Sequence, residues 1–220
     1  MILFLFYVII FFLGACCASF LAVTAQDFPN VSLTRRSSCS NCNKTLSILD
    51  LIPVFSYLFL LGKCSNSKVR IPYNTIIGEI FSGVFLFIIF YKHMDTLMYI
   101  PILLTLILLS YSDFFYKHIY TIYYLGFIPA LFSNNHKYML DCILVYIFLL
   151  LFSIISNGLG LGDVELCAIL ALFFGYRICL FILLISCGLC ILHFLTNKKR
   201  SFGFIPYITL ASGIILIIFI

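Results

Sequence analysis

Eight apolar stretches follow one another along this chain, at residues 2–23, 74–91, 97–112, 119–133, 138–156, 164–175, 177–195 and 204–220. Only the first two are separated by a long polar segment. Hydrophobic residues fill 64% of the 220 positions and charged residues 10%, too few to cover this apolar surface in a soluble domain. The expected fold is all-α, a polytopic transmembrane helix bundle, since backbone in lipid must satisfy its own hydrogen bonds. Several stretches fall short of the roughly 20 residues of a perpendicular span. Residues 164–175 reach only about 18 Å as a helix, so either neighbouring helices thin the bilayer or one end lies in a protein-lined cavity. The second arrangement suits an active site.

Val23-Thr24-Ala25 has the look of a secretory cleavage site. No Lys or Arg precedes residue 35, however, and the apolar run is longer than the roughly 7–15-residue core of a signal peptide. The stretch reads as a retained anchor with its N-terminus outside. Basic residues then orient the rest. Placing 24–73 in the cytosol also places there the turns at 112–118, 157–163 and 196–203, with Arg35, Arg36, Lys44, Lys63, Lys68, Arg70, Lys117, Lys198, Lys199 and Arg200. Lys92, Lys137 and Arg177 stay outside. The net charge of +5 thus reflects orientation in a cell membrane; the expected partner is the lipid bilayer, and no nucleic acid is called for. Three regions follow: 1–23 a first transmembrane helix, 24–73 a cytosolic loop subdomain, and 74–220 a transmembrane catalytic bundle. Within the loop, residues 46–61 are apolar but interrupted by Asp50 and Pro53, and read as interfacial or as part of a small packed unit.

The same parity puts Asp113 and Asp163 at the cytosolic mouths of their stretches. Carboxylates near hydrocarbon are costly and mark functional sites. Asp163 ends the run Gly160-Leu161-Gly162-Asp163, whose glycines permit close backbone approach, so an extended substrate strand could lie against the loop. Alone, this pattern is equally a capped helix start. A second carboxylate on the same side turns the pair into a candidate aspartic dyad. Two charges ~4 Å apart at an effective dielectric of ~20 repel by about 4 kcal/mol, so one group holds a proton while the other is ionised. One can then activate water and the other protonate the carbonyl oxygen or leaving amine, and the titration belongs to the pair. No cofactor is required for such hydrolysis.

Ser112-Asp113 followed by Ile119, and Gly160-Leu161-Gly162-Asp163 followed by Leu166, resemble the two aspartate motifs of the type IV prepilin (leader) peptidases. Gly14, Ser19-Phe20-Leu21 and Pro29 resemble that family's first-helix motif. Cys39-Ser40-Asn41-Cys42, Leu51 to Tyr57 and Gly62-Lys63-Cys64 resemble its cytosolic loop. Arg70-Ile71-Pro72-Tyr73 with Glu79, and Phe202-Gly203-Phe204-Ile205-Pro206, resemble the loop's exit and the start of the last helix. The resemblance spans nearly the whole chain. It implies an intramembrane aspartic endopeptidase of the GxGD type, with Asp113 and Asp163 catalytic and Gly160 and Gly162 in the active-site loop. The implied substrates are prepilin-like proteins, cut between a short basic leader and a hydrophobic helix, usually after a glycine. Some relatives also methylate the new N-terminus with S-adenosylmethionine. No Gly-rich nucleotide-binding motif is visible here, so methylation stays unassigned.

Three features depart from the family pattern. Glu165 stands where a basic residue is usual; at i, i+2 on a helix it is expected to point away from Asp163. Tyr120 replaces the proline that often follows the isoleucine. The second Cys-x-x-Cys pair reads Cys64-Ser65-Asn66-Ser67, leaving Cys39, Cys42 and Cys64 as candidate zinc ligands without a fourth thiolate. The alternative is a packed loop of reduced cysteines. Cys187-Gly188-Leu189-Cys190, inside an apolar stretch, reads as packing. Glu79 is expected to pair with Arg70 or another loop cation, the alternative being that it lines the substrate path, and Asp141 to mark a helix start. Two other classes fit the aspartates and the loop less closely: a proton-coupled transporter with an Asp113–Asp163 relay, and a non-catalytic membrane assembly factor docking through 24–73.

Overall fold

The computed structural model describes residues 2–31, 42, 45–47, 51–71, 73–133, 135–156, 158–197 and 203–219. Among these the protein is helical, with one isolated antiparallel bridge, Lys63 to Arg70. The helices are α1 (Ile2–Asp27), α2 (Phe55–Phe59), α3 (Tyr73–Tyr91), α4 (Thr96–Tyr116), a 3₁₀ segment (Thr121–Phe127) running into α5 (Ile128–Leu131), α6 (Met139–Ser156), α7 (Leu161–Asn197) and α8 (Ile205–Phe219). Five of them, α1, α3, α4, α6 and α7, are long and apolar enough to cross a membrane. Large apolar side chains such as Phe4, Phe148, Ile155 and Leu184 stay exposed, as expected of lipid-facing surface. This is a multi-pass membrane protein. The eight apolar stretches are not eight equal spans: 121–131 is a 3₁₀ segment and one α turn, and α8 has only 15 residues.

Small residues set the first helix packing. Ser82 Oγ donates to the Gly14 carbonyl at 2.8 Å, and a side chain on Gly14 would begin 2.7 Å from the Ser82 carbonyl oxygen. Backbones this close are the means by which helices associate where lipid removes the hydrophobic drive. Ala15, Ala18, Ala22 and Ala25 are buried along the same helix. At the centre lies α4, with buried residues from Met98 to Asp113. Asp95 caps its start by accepting the Leu97 N–H at 3.0 Å, and Lys117 ends it in the left-handed region at φ 52°.

The stretches 164–175 and 177–195 form one continuous run, α7, that reverses at Gly175, where φ is 80° and ψ is 163°. Such a conformation favours glycine. Cys179 Sγ donates to the Cys167 carbonyl at 3.3 Å, although twelve residues of straight helix would hold them about 18 Å apart. The arms 161–174 and 176–197 therefore lie against each other. The start of α6 braces the reversal. Tyr138 N–H donates to the Leu172 carbonyl at 2.9 Å, and Asp141, in the first turn of α6, accepts the Tyr176 N–H at 3.0 Å. Asp141 thus marks a helix start as expected, and also caps a second helix.

The described part of the 24–73 loop packs on the bundle. Phe55 stacks on Phe12 of α1 with ring centroids 5.3 Å apart. Residues 62–71 fold back on themselves: Cys64 N–H donates to the Val69 carbonyl at 2.9 Å, and Ile71 N–H to the Gly62 carbonyl at 2.8 Å. Glu79 holds this loop differently from expectation. Its carboxylate accepts the Val54 N–H at 2.8 Å and a hydrogen bond from Ser19, so among the described residues it binds α2's N-terminal turn to α1, and Arg70 is not its partner.

Candidate active site

Asp113 lies one turn before the end of α4, and its side chain is buried. Two features fix it. The Ile205 N–H, at the N-terminus of α8, donates to Asp113 Oδ2 at 3.1 Å, a favourable place for a carboxylate. Gly203 lies directly against the carboxyl: a Cβ there would be 2.1 Å from Oδ2 and 2.5 Å from Cγ. Lys117, four residues on, acts on Asp113 electrostatically. The chain leaves α4 in a fixed direction because Ser112 Oγ donates to the His118 carbonyl at 2.8 Å.

Asp163 sits in the first turn of α7 and is half-buried. Its N–H donates to the Gly160 carbonyl at 3.1 Å, and its carboxylate reaches back to accept a backbone hydrogen bond from Gly160. The second bond is the N3 half of a capping box, with no side chain on Gly160 to return the other half, so the carboxylate does cap its helix. Asp113, fifty residues away in sequence, is near enough for its charge to act on Asp163. The structure therefore places the two sequence-identified carboxyl groups within electrostatic reach of each other, Asp113 near the end of α4 and Asp163 at the start of α7. Gly162 is closely packed, since a Cβ there would be 2.2 Å from Ile119 Cδ1. Its carbonyl accepts the Tyr124 hydroxyl at 2.9 Å. At Gly160 a Cβ would lie 3.2 Å from Asp163 Oδ2, a milder crowding. Asp113, not Glu165, is the acidic neighbour that acts on Asp163.

Gly203, Ile119 and Tyr124 belong to this site without having been singled out as site residues from the sequence. Gly203 and Ile119 could be found through the family motifs that contain them; Tyr124 carries no local signal. A cavity of about 730 Å³ opens between α3, α4 and α8; neither aspartate lines it, but Gly203, which packs on the Asp113 carboxyl, does. Its wall includes Gly203, Lys117, Tyr73 and Asn74 at one end and Phe81 and Leu210 further along.

Of the candidate metal ligands, Cys39 lies outside the described residues, Cys64 is buried beside the fold-back at 62–71, and Cys42 is half-buried. Among the described residues no three His, Cys, Asp or Glu side chains are grouped to hold a metal ion. His193 takes part in a hydrogen bond with Tyr207 at 2.6 Å.

Two carboxyl groups within electrostatic reach of each other can divide the work of acid and base. Residues 12–93 match the bacterial peptidase A24 N-terminal domain, and residues 100–195 the type IV leader peptidase family. The chain is 26% identical over 183 residues to a prepilin leader peptidase/N-methyltransferase of Bacillus subtilis (strain 168), covering 77% of this chain and 74% of that protein. Its counterpart in Dichelobacter nodosus is 28% identical over 155 residues, 63% of this chain and 54% of that one. That of Myxococcus xanthus (strain DK1622) is 35% identical over 85 residues, 38% and 25%. No solved structure matches the chain. With matches in both halves, the second of them holding both aspartates, the chain belongs to the type IV prepilin (leader) peptidase family of aspartic peptidases.

Proposed function

We propose that this protein removes the short basic leader of prepilin-like proteins at the cytosolic face of the cell membrane, with Asp113 and Asp163 as its catalytic pair. The observation that carries the reading is that these two carboxyl groups, on α4 and α7, lie within electrostatic reach of each other in an apolar bundle. One carboxylate takes a proton from water as it attacks the scissile carbonyl, while the other gives its proton to the carbonyl oxygen; when the tetrahedral diol collapses, the first passes its new proton to the leaving amine and the second takes one back from the diol hydroxyl. Neither step needs a cofactor. The Gly160–Gly162 loop gives an extended strand access to the carboxyls, and the cavity lined by Gly203 offers room on the far side of the glycine that packs on Asp113.

Orientation rests on the basic residues. With the N-terminus outside, the loop 24–73, Lys117 and the 196–203 turn face the cytosol, and the aspartates with them. Zinc in this loop would be a structural addition, held by Cys39, Cys42 and Cys64 with water or another donor where Ser67 replaces a thiolate poorly, and no catalytic step passes through it. The names of the three relatives join a peptidase to an N-methyltransferase. For this chain we assign the peptidase and leave S-adenosylmethionine chemistry unassigned.

Co-expression with a prepilin-like substrate, in a host lacking its own leader peptidase, tests the reading. The expected result is a shortened product whose new N-terminus, read by mass spectrometry, begins at the leader–helix junction. A substrate that keeps its leader while both proteins reach the membrane would leave a relay or a docking role instead.

A further inference from the structure

The segment that follows Asp113 is also the segment that grips the Asp163 loop. Lys117 turns the chain out of α4, and the Ser112–His118 hydrogen bond fixes its new direction. Ile119 then places Cδ1 where a side chain on Gly162 would begin. Within the 3₁₀ segment, Tyr124 donates its hydroxyl to the Gly162 carbonyl at 2.9 Å while its ring stacks on Phe127, with centroids 6.4 Å apart.

The bonded carbonyl belongs to the peptide unit that joins Gly162 to Asp163. Its other polar end, the Asp163 N–H, donates to the Gly160 carbonyl at 3.1 Å. A planar peptide held at both ends cannot rotate, so the Cα of Asp163 is fixed in place and direction. The hydroxyl that holds one end is anchored to the stretch of chain leading from Asp113. Tyr124 is close enough to feel the charges of Glu165 and Asp163, yet its hydrogen bond goes to the backbone carbonyl.

We propose that Tyr124 is a positioning residue of the peptidase reaction: its hydroxyl, by holding the Gly162–Asp163 peptide, sets the spacing between the carboxyl groups of Asp113 and Asp163. This rests on the catalytic reading of that pair. Ile119 supplies the apolar half of the same grip. Misplacement of a reacting group acts on turnover, while substrate held elsewhere along its length binds as before.

Tyr124→Phe removes the hydroxyl and keeps the ring. In purified enzyme, cleaving a prepilin-like substrate, the variant is expected to lose about tenfold in kcat, the size of one hydrogen bond's contribution, with KM and Tm unchanged. Ile119→Val, which removes Cδ1, should lower kcat in the same way and gives a second reading should the Phe variant fail to accumulate. A kcat within twofold of wild type in both, or a fall in Tm with kcat per folded enzyme unchanged, would overturn the proposal and leave Tyr124 a packing residue. Absence of cleavage by the wild-type enzyme is a different result, for it removes the peptidase reading itself.

Discussion

Replacing Gly203 by alanine perturbs the site by one methyl group at a known place. The added carbon would lie 2.1 Å from Asp113 Oδ2, 2.5 Å from Cγ and 2.9 Å from Oδ1, so all three outer atoms of the carboxyl group are in its way. An ordinary contact needs more than 3 Å, and the carboxyl must move by about 1 Å. It has little freedom to do so, since Oδ2 is hydrogen-bonded to the Ile205 N–H and Asp113 is buried. A displacement of ~1 Å in a reacting group costs on the order of 100-fold in rate. Gly203→Ala is therefore expected to reduce leader cleavage about 100-fold with little change in the amount of membrane-inserted protein. Gly188→Ala serves as the control, because nothing lies within 4 Å of its added carbon. Initial rates of substrate shortening, normalised to enzyme in the membrane fraction, measure the effect. A Gly203→Ala rate within threefold of the Gly188→Ala rate would refute the reasoning, for the Asp113 carboxyl would not need the position seen here.

Two further outcomes follow from the same geometry. Glu165→Lys is expected to change the cleavage rate by less than tenfold, because Asp113 rather than Glu165 is the charge acting on Asp163; a Lys in a helix's first turn costs only about 0.3–1 kcal/mol against the helix dipole, and complete loss of activity with the protein still present would place Glu165 in the site. Asp141→Ala removes the acceptor of the Tyr176 N–H and should destabilise the reversal at Gly175 by about 1 kcal/mol, lowering Tm with the leader-cleavage rate of folded enzyme kept; an unchanged Tm would show that the cap contributes nothing.

The parts legible in the sequence were those with a local or parity signal. Hydropathy separates 164–175 from 177–195 around the place where Gly175 reverses the chain. Counting spans from the basic loops puts Asp113 and Asp163 on one side, and in the structure the charge of Asp113 reaches Asp163. Hydropathy does not tell a span from a buried turn. Residues 119–133 are apolar enough for either, yet Gly126 packs so closely on Thr105 that a Cβ would be 1.9 Å from Thr105 Cγ2, and Pro129 begins only a single α turn. Contacts between distant residues were out of reach for the same reason. Glu79 accepts an N–H from a residue 25 positions away, Tyr124 reaches a carbonyl 38 away, and Asp113 is held from 92 away. Charge pairing alone would have given Glu79 a cation, whereas a backbone N–H and a hydroxyl satisfy it. Asp163 also shows why capping and catalysis were hard to separate by pattern: its carboxylate engages Gly160 as a cap would, and still lies within reach of the charge of Asp113.

The central claim is that Asp113 and Asp163 act as one unit, and isosteric replacement of each tests it most directly. Asp113→Asn and Asp163→Asn keep the size of the side chain and remove its ability to cycle a proton. Leader removal from a co-expressed prepilin-like substrate, read by intact mass, should be abolished in each single variant and no worse in the double variant, since members of a unit do not lose activity additively. Both variant proteins should be present in the membrane at wild-type levels. A single variant that still shortens the substrate at near wild-type rate would contradict the account, because that carboxyl group would then be a helix cap or a packing residue and not half of a catalytic pair.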